Sequence, residues 1–132
     1  MVKKDVVFVL AHGLRLSTLV YRLRSNNFTV HGQHTASSFA EAERNLGLCG
    51  QDVRVAVLAD SPGMVGNEAA VARQVADLIK REYPHITIVE VGSVFRNISE
   101  HFVGGKGMKE ISPDDVVLKV RDICGVSSPV TS

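Results

Sequence analysis

The apolar positions along the chain change their period several times, which predicts alternating strands and helices. Val6 to Ala11 is a continuous apolar run, typical of a strand buried on both faces. From Leu16 to Leu23 the apolar residues recur at helical spacing, which indicates an amphipathic helix. The turn signal Asn26-Asn27 then precedes Phe28 to Val30, which we interpret as a short second strand.

The middle of the chain repeats this alternation. Ser38 opens a capping box that predicts a second helix, ended by Gly47 and Gly50. Val53 to Ala59 is a third strand and is followed by a Pro-Gly turn. A third helix over Asn67 to Glu82 is predicted next, because alanine and charged residues flank an apolar stripe there.

The last third of the chain predicts two more strands. Ile86 to Val91 is the fourth strand, and Phe95 to Val103 is interpreted as a short helix. A glycine-rich loop then leads to a short fifth strand around Met108. Ser112-Pro113-Asp114-Asp115 is typical of a helix start, with a cap, a proline at the first position and acids in the first turn.

A β-α alternation of this kind predicts an α/β fold, a doubly wound five-stranded parallel sheet with helices on both faces. In such sheets ligands bind beyond the carboxyl ends of the strands. The chemistry is therefore sought in the residues that directly follow each predicted strand.

Composition narrows the class of protein. The chain has 132 residues, the size of one domain, with 45% apolar residues and a formal charge of +1. A net charge this small creates no strong electrostatic field that would favour nucleic acid or anionic lipid as a partner. No apolar run is long enough for a bilayer, and the start does not fit a signal peptide. Two cysteines far apart match no metal spacing, so a cytoplasmic location is expected.

Four polar residues near the predicted strand ends are candidates for chemistry, and each also has a plain structural interpretation. Asp60 follows the third strand and fits a nucleophile toward phosphoryl groups, or a residue that only caps a turn. Ser93 and Lys109 could contact a phosphoryl group, or be a turn serine and a solvated lysine. His12 could carry a phosphoryl group or bind a metal, or be structural.

Several segments in order resemble the receiver domain of bacterial response regulators. Residues 59–68 resemble the phosphoacceptor aspartate and the turn that follows it. Residues 83–89 resemble the entry to the family's fourth strand, and residues 104–116 resemble the last strand and helix of regulators that carry a helix-turn-helix DNA-binding domain. The resemblance covers Val6 to Cys124 and implies the flavodoxin-like (βα)5 receiver fold.

The resemblance also implies roles for particular residues. Asp60 would accept a phosphoryl group from a sensor histidine kinase, Lys109 (or Lys106) would be the family's lysine, and Ser93 would lie at or beside the switch hydroxyl. The family's acidic pair that binds Mg²⁺ falls on Ala11-His12. We therefore expect no metal site, weak or absent Mg²⁺ binding and weak or absent phosphorylation of Asp60.

A receiver without this metal site would work by binding rather than as an enzyme. The family's interaction surface falls on Phe95, Ile98, Phe102 and Met108, although Phe102 could equally be core. We expect a receiver-like domain over residues 1–125, followed over residues 126–132 by either a flexible tail or the start of a linker to an output domain. The expected partners are a second copy of the chain, DNA only through that output domain, and no membrane. The alternative is a phosphohistidine carrier that uses His12.

Overall fold

The computed structural model describes residues 5–11, 14–34, 39–59, 67–91, 101–103 and 113–125. Within these residues the chain forms five strands and four helices. In chain order they are β1 Val6–Ala11, α1 Leu14–Ser25, β2 Thr29–His34, α2 Phe39–Cys49, β3 Val53–Ala59, α3 Asn67–Glu82, β4 Thr87–Val91, β5 His101–Val103 and α4 Pro113–Ile123.

The five strands form one parallel sheet in the order β2-β1-β3-β4-β5. The chain moves from β1 outward to β2, returns across β1 to β3, and continues in the other direction to β4 and β5. This reversal makes the sheet doubly wound, with its switch point between β1 and β3. The predicted fold class is therefore confirmed.

The sheet separates two apolar cores, because successive side chains on a strand point to opposite faces. On β1, Phe8 and Leu10 face α2 and α3, whereas Val7 and Val9 face α1 and α4. All six residues of β1 are buried, as expected for a central strand with helices on both sides. The core of the first face is completed by Ala42, Leu46, Ala72, Val75, Ala76 and Ile79, and that of the second by Leu19, Leu23, Val116, Val117 and Val120.

Element boundaries agree with the sequence where the apolar pattern is dense. β1, β3 and α3 have the predicted bounds, and α4 begins at Pro113 as predicted. β2 extends further along the chain than expected, to His34. Residues 31–34 show no apolar pattern, because this strand is partly exposed. Gly47 does not end α2, which continues to Cys49 before Gly50.

The fifth strand is where the sequence prediction is wrong. Residues 101–103 are not helical but form β5, whereas the fifth strand was expected around Met108, which lies outside the described residues. His101, Phe102 and Val103 pair with Val89, Glu90 and Val91 of β4. Three residues are too few to show a period of two against a period of 3.6, so the pattern could not decide between strand and helix.

Among the described residues, no helix combines the length and the apolar character that crossing a membrane requires.

Candidate functional site at the carboxyl edge of the sheet

All five strands end at the same level at the carboxyl edge of the sheet, and Ala11 of β1 pairs with His34 at the end of β2. Leu10 of β1 pairs with Leu58 of β3, so these strands end side by side at Ala11 and Ala59. Ala59 in turn pairs with Val91 of β4, and Val91 pairs with Val103 of β5. The chain therefore leaves the sheet at one common edge beside the switch point, where ligands bind in folds of this kind.

The residues that follow these strand ends in the sequence are the predicted site residues. His12 follows Ala11, Asp60 follows Ala59, and Ser93 comes two residues after Val91. These three residues lie outside the described part of the chain, as do Phe95, Ile98, Met108 and Lys109. Their roles remain predictions.

The two candidate lysines both follow β5 in the sequence. β5 ends at Val103, and Lys106 is the first lysine after it, three residues further on. The resemblance assigns the family's lysine to Lys109 by position and leaves Lys106 as the alternative. Both lysines lie outside the described residues, and the choice between them remains a prediction.

Phe102 is the one predicted interaction residue whose backbone is described. It is the middle residue of β5 and pairs with Glu90 of β4. The segment that holds it is a strand of the sheet, not a surface helix. Any interaction surface that includes Phe102 would therefore lie at the β5 side of the sheet.

Ala11 is the described residue that bears most directly on metal binding. It ends β1, pairs with His34 of β2 and is fully buried in the core beneath α1 and α4. Its methyl group offers no oxygen at the position where the resemblance places the first carboxylate of the Mg²⁺ pair. Within the described residues, no group of three or more His, Cys, Asp or Glu side chains could hold a metal ion.

Glu90 is a site feature that sequence reasoning missed. It is the penultimate residue of β4 and is 0% exposed, one of two buried polar residues in the described chain. It pairs with Leu58 and shares the α2 and α3 face with Ile88. Glu90 interrupts an otherwise apolar strand, and a buried carboxyl must be paired or protonated. A titratable group therefore lies inside the sheet one residue below the candidate site.

Two polar contacts elsewhere involve α2 and the turn that follows it. The Asn45 amide of α2 donates a hydrogen bond to the Gln33 side-chain oxygen of β2. The His85 ring lies 2.8 Å from the Gly50 carbonyl oxygen and contacts Tyr83 edge to face. The first contact lies at the level of Leu10, one residue before the carboxyl edge. The second lies at the amino edge, where Gly50 and His85 precede β3 and β4.

Neither cysteine is suited to thiolate chemistry. Burial, and then the charge of Asp52, raises the pKa of the Cys49 thiol. Burial, followed by the charge of Asp5, raises the pKa of Cys124 to about 11, against an opposing contribution from Arg54. Asp5 precedes β1, so this thiol lies at the amino edge of the sheet, opposite the candidate site. Both thiols are protonated at neutral pH.

Comparison with known proteins supports the fold through structure rather than sequence. No family model and no curated protein sequence matches the chain. A response regulator from Thermotoga maritima superposes with a TM-score of 0.64 at 12% identity, over 93% of this chain and 99% of its own. The response regulator TrrA of the same organism, solved in complex with Mg²⁺-BeF, gives a TM-score of 0.63 at 15% identity, over 90% and 98%.

A third similar structure comes from a protein of different description. A putative pilus assembly-related protein from Burkholderia pseudomallei superposes with a TM-score of 0.60 at 12% identity, over 99% of this chain and 98% of its own. Together with the strand order and the two-sided core, these superpositions show that the chain shares its fold with the two response regulators and with the pilus assembly-related protein. At such identities they establish the fold and leave the chemistry to the residues of this chain.

Proposed function

We propose that the chain is an atypical receiver domain, a signalling module that acts through contacts with other proteins rather than through Mg²⁺-dependent phosphorylation. The receiver architecture supports the first half of this proposal. The absence of a carboxylate at the end of β1 supports the second half.

The observation that carries the proposal is the burial of Ala11. Mg²⁺ requires oxygen ligands in near-octahedral geometry, and a buried methyl group at the strand end supplies none. His12, the next residue in the sequence, is a nitrogen ligand and a poor substitute for a hard oxygen. A divalent cation neutralises developing charge on a transferring phosphoryl group, worth several kcal/mol in the transition state. Its loss slows acyl phosphate formation by orders of magnitude.

The chain keeps the other groups that a receiver uses. In this proposal Asp60 is the carboxylate that would accept a phosphoryl group from a sensor histidine kinase. Lys106 or Lys109 would place a cation beside the carboxylate, and Ser93 would donate a hydrogen bond. Without the metal these groups serve as a binding surface more than as a reactive centre.

The proposed readout is association. The segment from Phe95 to Met108, with β5 in its middle, would pair two copies of the chain and transmit the state of the domain to a helix-turn-helix output domain that binds DNA. The chain itself has a formal charge of only +1, which agrees with DNA contact through another domain.

Incubation with acetyl phosphate and MgCl₂, followed by intact mass spectrometry, tests the proposal. We expect no stoichiometric acyl phosphate on the unmodified chain. The double variant A11D/H12D restores the two acids and should gain phosphate, whereas adding D60N should abolish the gain. Far-ultraviolet circular dichroism checks that each variant is folded. If the double variant unfolds, titration of the unmodified chain with Mg²⁺ alone, followed by thermal unfolding, should show no rise in Tm.

Stoichiometric acyl phosphate on Asp60 of the unmodified chain would overturn the proposal. The stability of the phosphoryl bond identifies the alternative. A modification that is lost in acid but survives in base would mark a phosphohistidine and favour the carrier function of His12.

A further inference from the structure

The outer strand of the sheet, β2, has a free edge in the described part of the chain. Its order in the sheet places β1 on one side only. The Thr29 amide donates to the Asp5 carbonyl oxygen, so residues 29, 31 and 33 hydrogen-bond toward β1. The main-chain groups of Val30 and Gly32 therefore point away from the sheet.

A groove lies on each side of this edge. On the α1 side, a cavity of about 590 Å³ is lined by Leu16, Val20, Tyr21 and Gly32. On the α2 side, a smaller cavity of about 340 Å³ is lined by His31, Asn45, Leu48 and Cys49, with Phe8 at its floor. Tyr21 and Leu48 are 69% and 82% exposed, so both grooves carry a large uncovered apolar side chain.

Gly32 keeps the edge open. A Cβ atom at this position would lie 3.1 Å from a methyl carbon of Val20 and 3.2 Å from one of Leu16. The missing side chain lets α1 pack close to β2, and it leaves the outward N–H and C=O of Gly32 accessible.

Arg24 gives the edge a positive charge. It lines both grooves, and its guanidinium donates a 3.0 Å hydrogen bond to the outward carbonyl oxygen of Val30. Helix α1 contains arginines but no acidic residue. Within the described chain Arg24 pairs with no carboxylate, whereas Arg22 lies 3.4 Å from Asp114.

We propose that the β2 edge binds an extended acidic-apolar segment of a partner protein as a sixth strand. Main-chain groups of the segment would bond to Gly32, and an N–H of the segment would replace Arg24 at the Val30 carbonyl. Side chains of an added strand alternate between the two faces, so apolar ones enter the α1-side groove and carboxylates the more polar α2-side groove. The displaced guanidinium then pairs with a carboxylate. This binding is independent of the phosphate chemistry of Asp60.

Charge argues against a second copy of the chain as the occupant. Two β2 edges related by a twofold axis would bring two Arg24 guanidinium groups together. Like charges in an interface oppose association, and neither copy offers a carboxylate on β2 or on α1 to compensate. An acidic segment satisfies the same edge without this repulsion.

A fluorescein-labelled octapeptide of alternating Glu and Val tests the proposal by fluorescence anisotropy. We expect it to bind at least about tenfold more tightly than the Lys-Val peptide of the same length. N-methylation at alternate residues should abolish binding when it blocks the N–H groups of the peptide that point toward β2. Methylation of the N–H groups that point away from β2 should leave binding unchanged. Amide exchange at Gly32 should slow on binding.

Two matched variants separate Arg24 from general charge. R24Q should weaken the binding of the Glu-Val peptide by about tenfold. R22Q, in the same helix, should leave this affinity unchanged. Equal binding of the two peptides, equal effects of the two variants, or unchanged exchange at Gly32 would overturn the proposal. A Gly32 amide already protected in a concentration-dependent dimer would overturn it as well, in favour of self-pairing. Failure of the Glu-Val peptide to bind below about 1 mM would also contradict it.

Discussion

Gly50 is restricted by its neighbours rather than by its backbone conformation. It follows α2, where its amide donates to the Leu46 carbonyl oxygen and its carbonyl accepts from His85 when that ring nitrogen carries a proton. A Cβ atom would lie 2.5 Å from the Leu46 oxygen and 2.6 Å from a ring carbon of Tyr83. No side chain fits without movement of the helix end.

Gly50→Ala is therefore expected to lower the free energy of unfolding by ~1–3 kcal/mol, as overpacking does in tight sites. Gly47→Ala is the matched control, because a Cβ at Gly47 would meet nothing within 4 Å. Alanine there should raise stability by about 0.5–1 kcal/mol through helix propensity. Urea unfolding of both variants checks the prediction, and equal effects would contradict the close packing at Gly50.

Cys124 is expected to make the folded protein less stable at alkaline pH. Its thiol is nearly buried beside Asp5, and its pKa is raised from 9.0 to about 11 in the folded chain. Between these two values the unfolded chain loses the proton while the folded chain keeps it. The unfolded state then binds fewer protons, so the free energy of unfolding falls as the pH rises through that window.

Cys124→Ala should flatten this fall, and the difference in stability between the variant and the parent should change between pH 9 and about 11. Below pH 9 the difference should stay constant, because both states of the parent hold the proton. Denaturant unfolding at a series of pH values measures it. Parallel curves across the whole range would show that the thiol is not perturbed.

At the scale of the element, α2 shows how one helix serves two environments. Leu46 is 0% exposed in the core beside β1 and β3, whereas Leu48, two residues further on, is 82% exposed at the β2 edge. The helix turns about 100° per residue, so a step of two moves a side chain from the core to solvent. Burial rather than residue type decides what each leucine contributes.

Leu46→Ala should destabilise the fold by about 2–5 kcal/mol, since it removes buried apolar surface and leaves a cavity. Leu48→Ala changes the same residue type in the same helix and should stay within about 0.5 kcal/mol. Chemical denaturation of the pair provides the comparison. A large effect at Leu48 would show that the β2 edge is covered in solution.

Sequence patterns predicted the elements wherever a strand or helix buried a continuous face. Val6–Ala11 is apolar throughout, and Val53–Ala59 is apolar except for Arg54, because both strands lie at the centre of the sheet. The start of α4 at Pro113 is fixed by local backbone chemistry. β2 and β5 are the end strands of the sheet. An end strand is partly exposed to solvent, so polar residues such as His31 can occur in it. The edge strands therefore carry weak patterns, and their bounds came only from the pairing with their neighbours.

The candidate site could be placed by sequence only to the level of a sheet edge. The rule that parallel strands present their carboxyl ends together brings Ala11, Ala59 and Val91 to one level, as the register shows. Glu90 could not be recognised as a buried site residue from the sequence, because a single acidic residue in a strand is typical of an exposed position. The position of β5 could not be predicted either, because three residues are too few to show a period.

At the scale of the whole molecule, sheet topology and metal chemistry are separable. Among the described residues, the two-sided core is built from apolar side chains of β1 to β4 and of the four helices, so it tolerates replacement of a few residues at the carboxyl edge. Ala11, at the end of β1, places a buried methyl group in this core. The same architecture can therefore persist while its reactive centre changes.

The central position of β1 has a consequence for how the chain must be handled. Six residues, 6–11, form both the pairing with β2 and the pairing with β3. Trimming the chain by a dozen residues at its start would cut the sheet into a lone strand and a three-stranded remainder, and would expose the inner faces of four helices. A deletion that looks peripheral in the sequence is thus a cut through the middle of the protein.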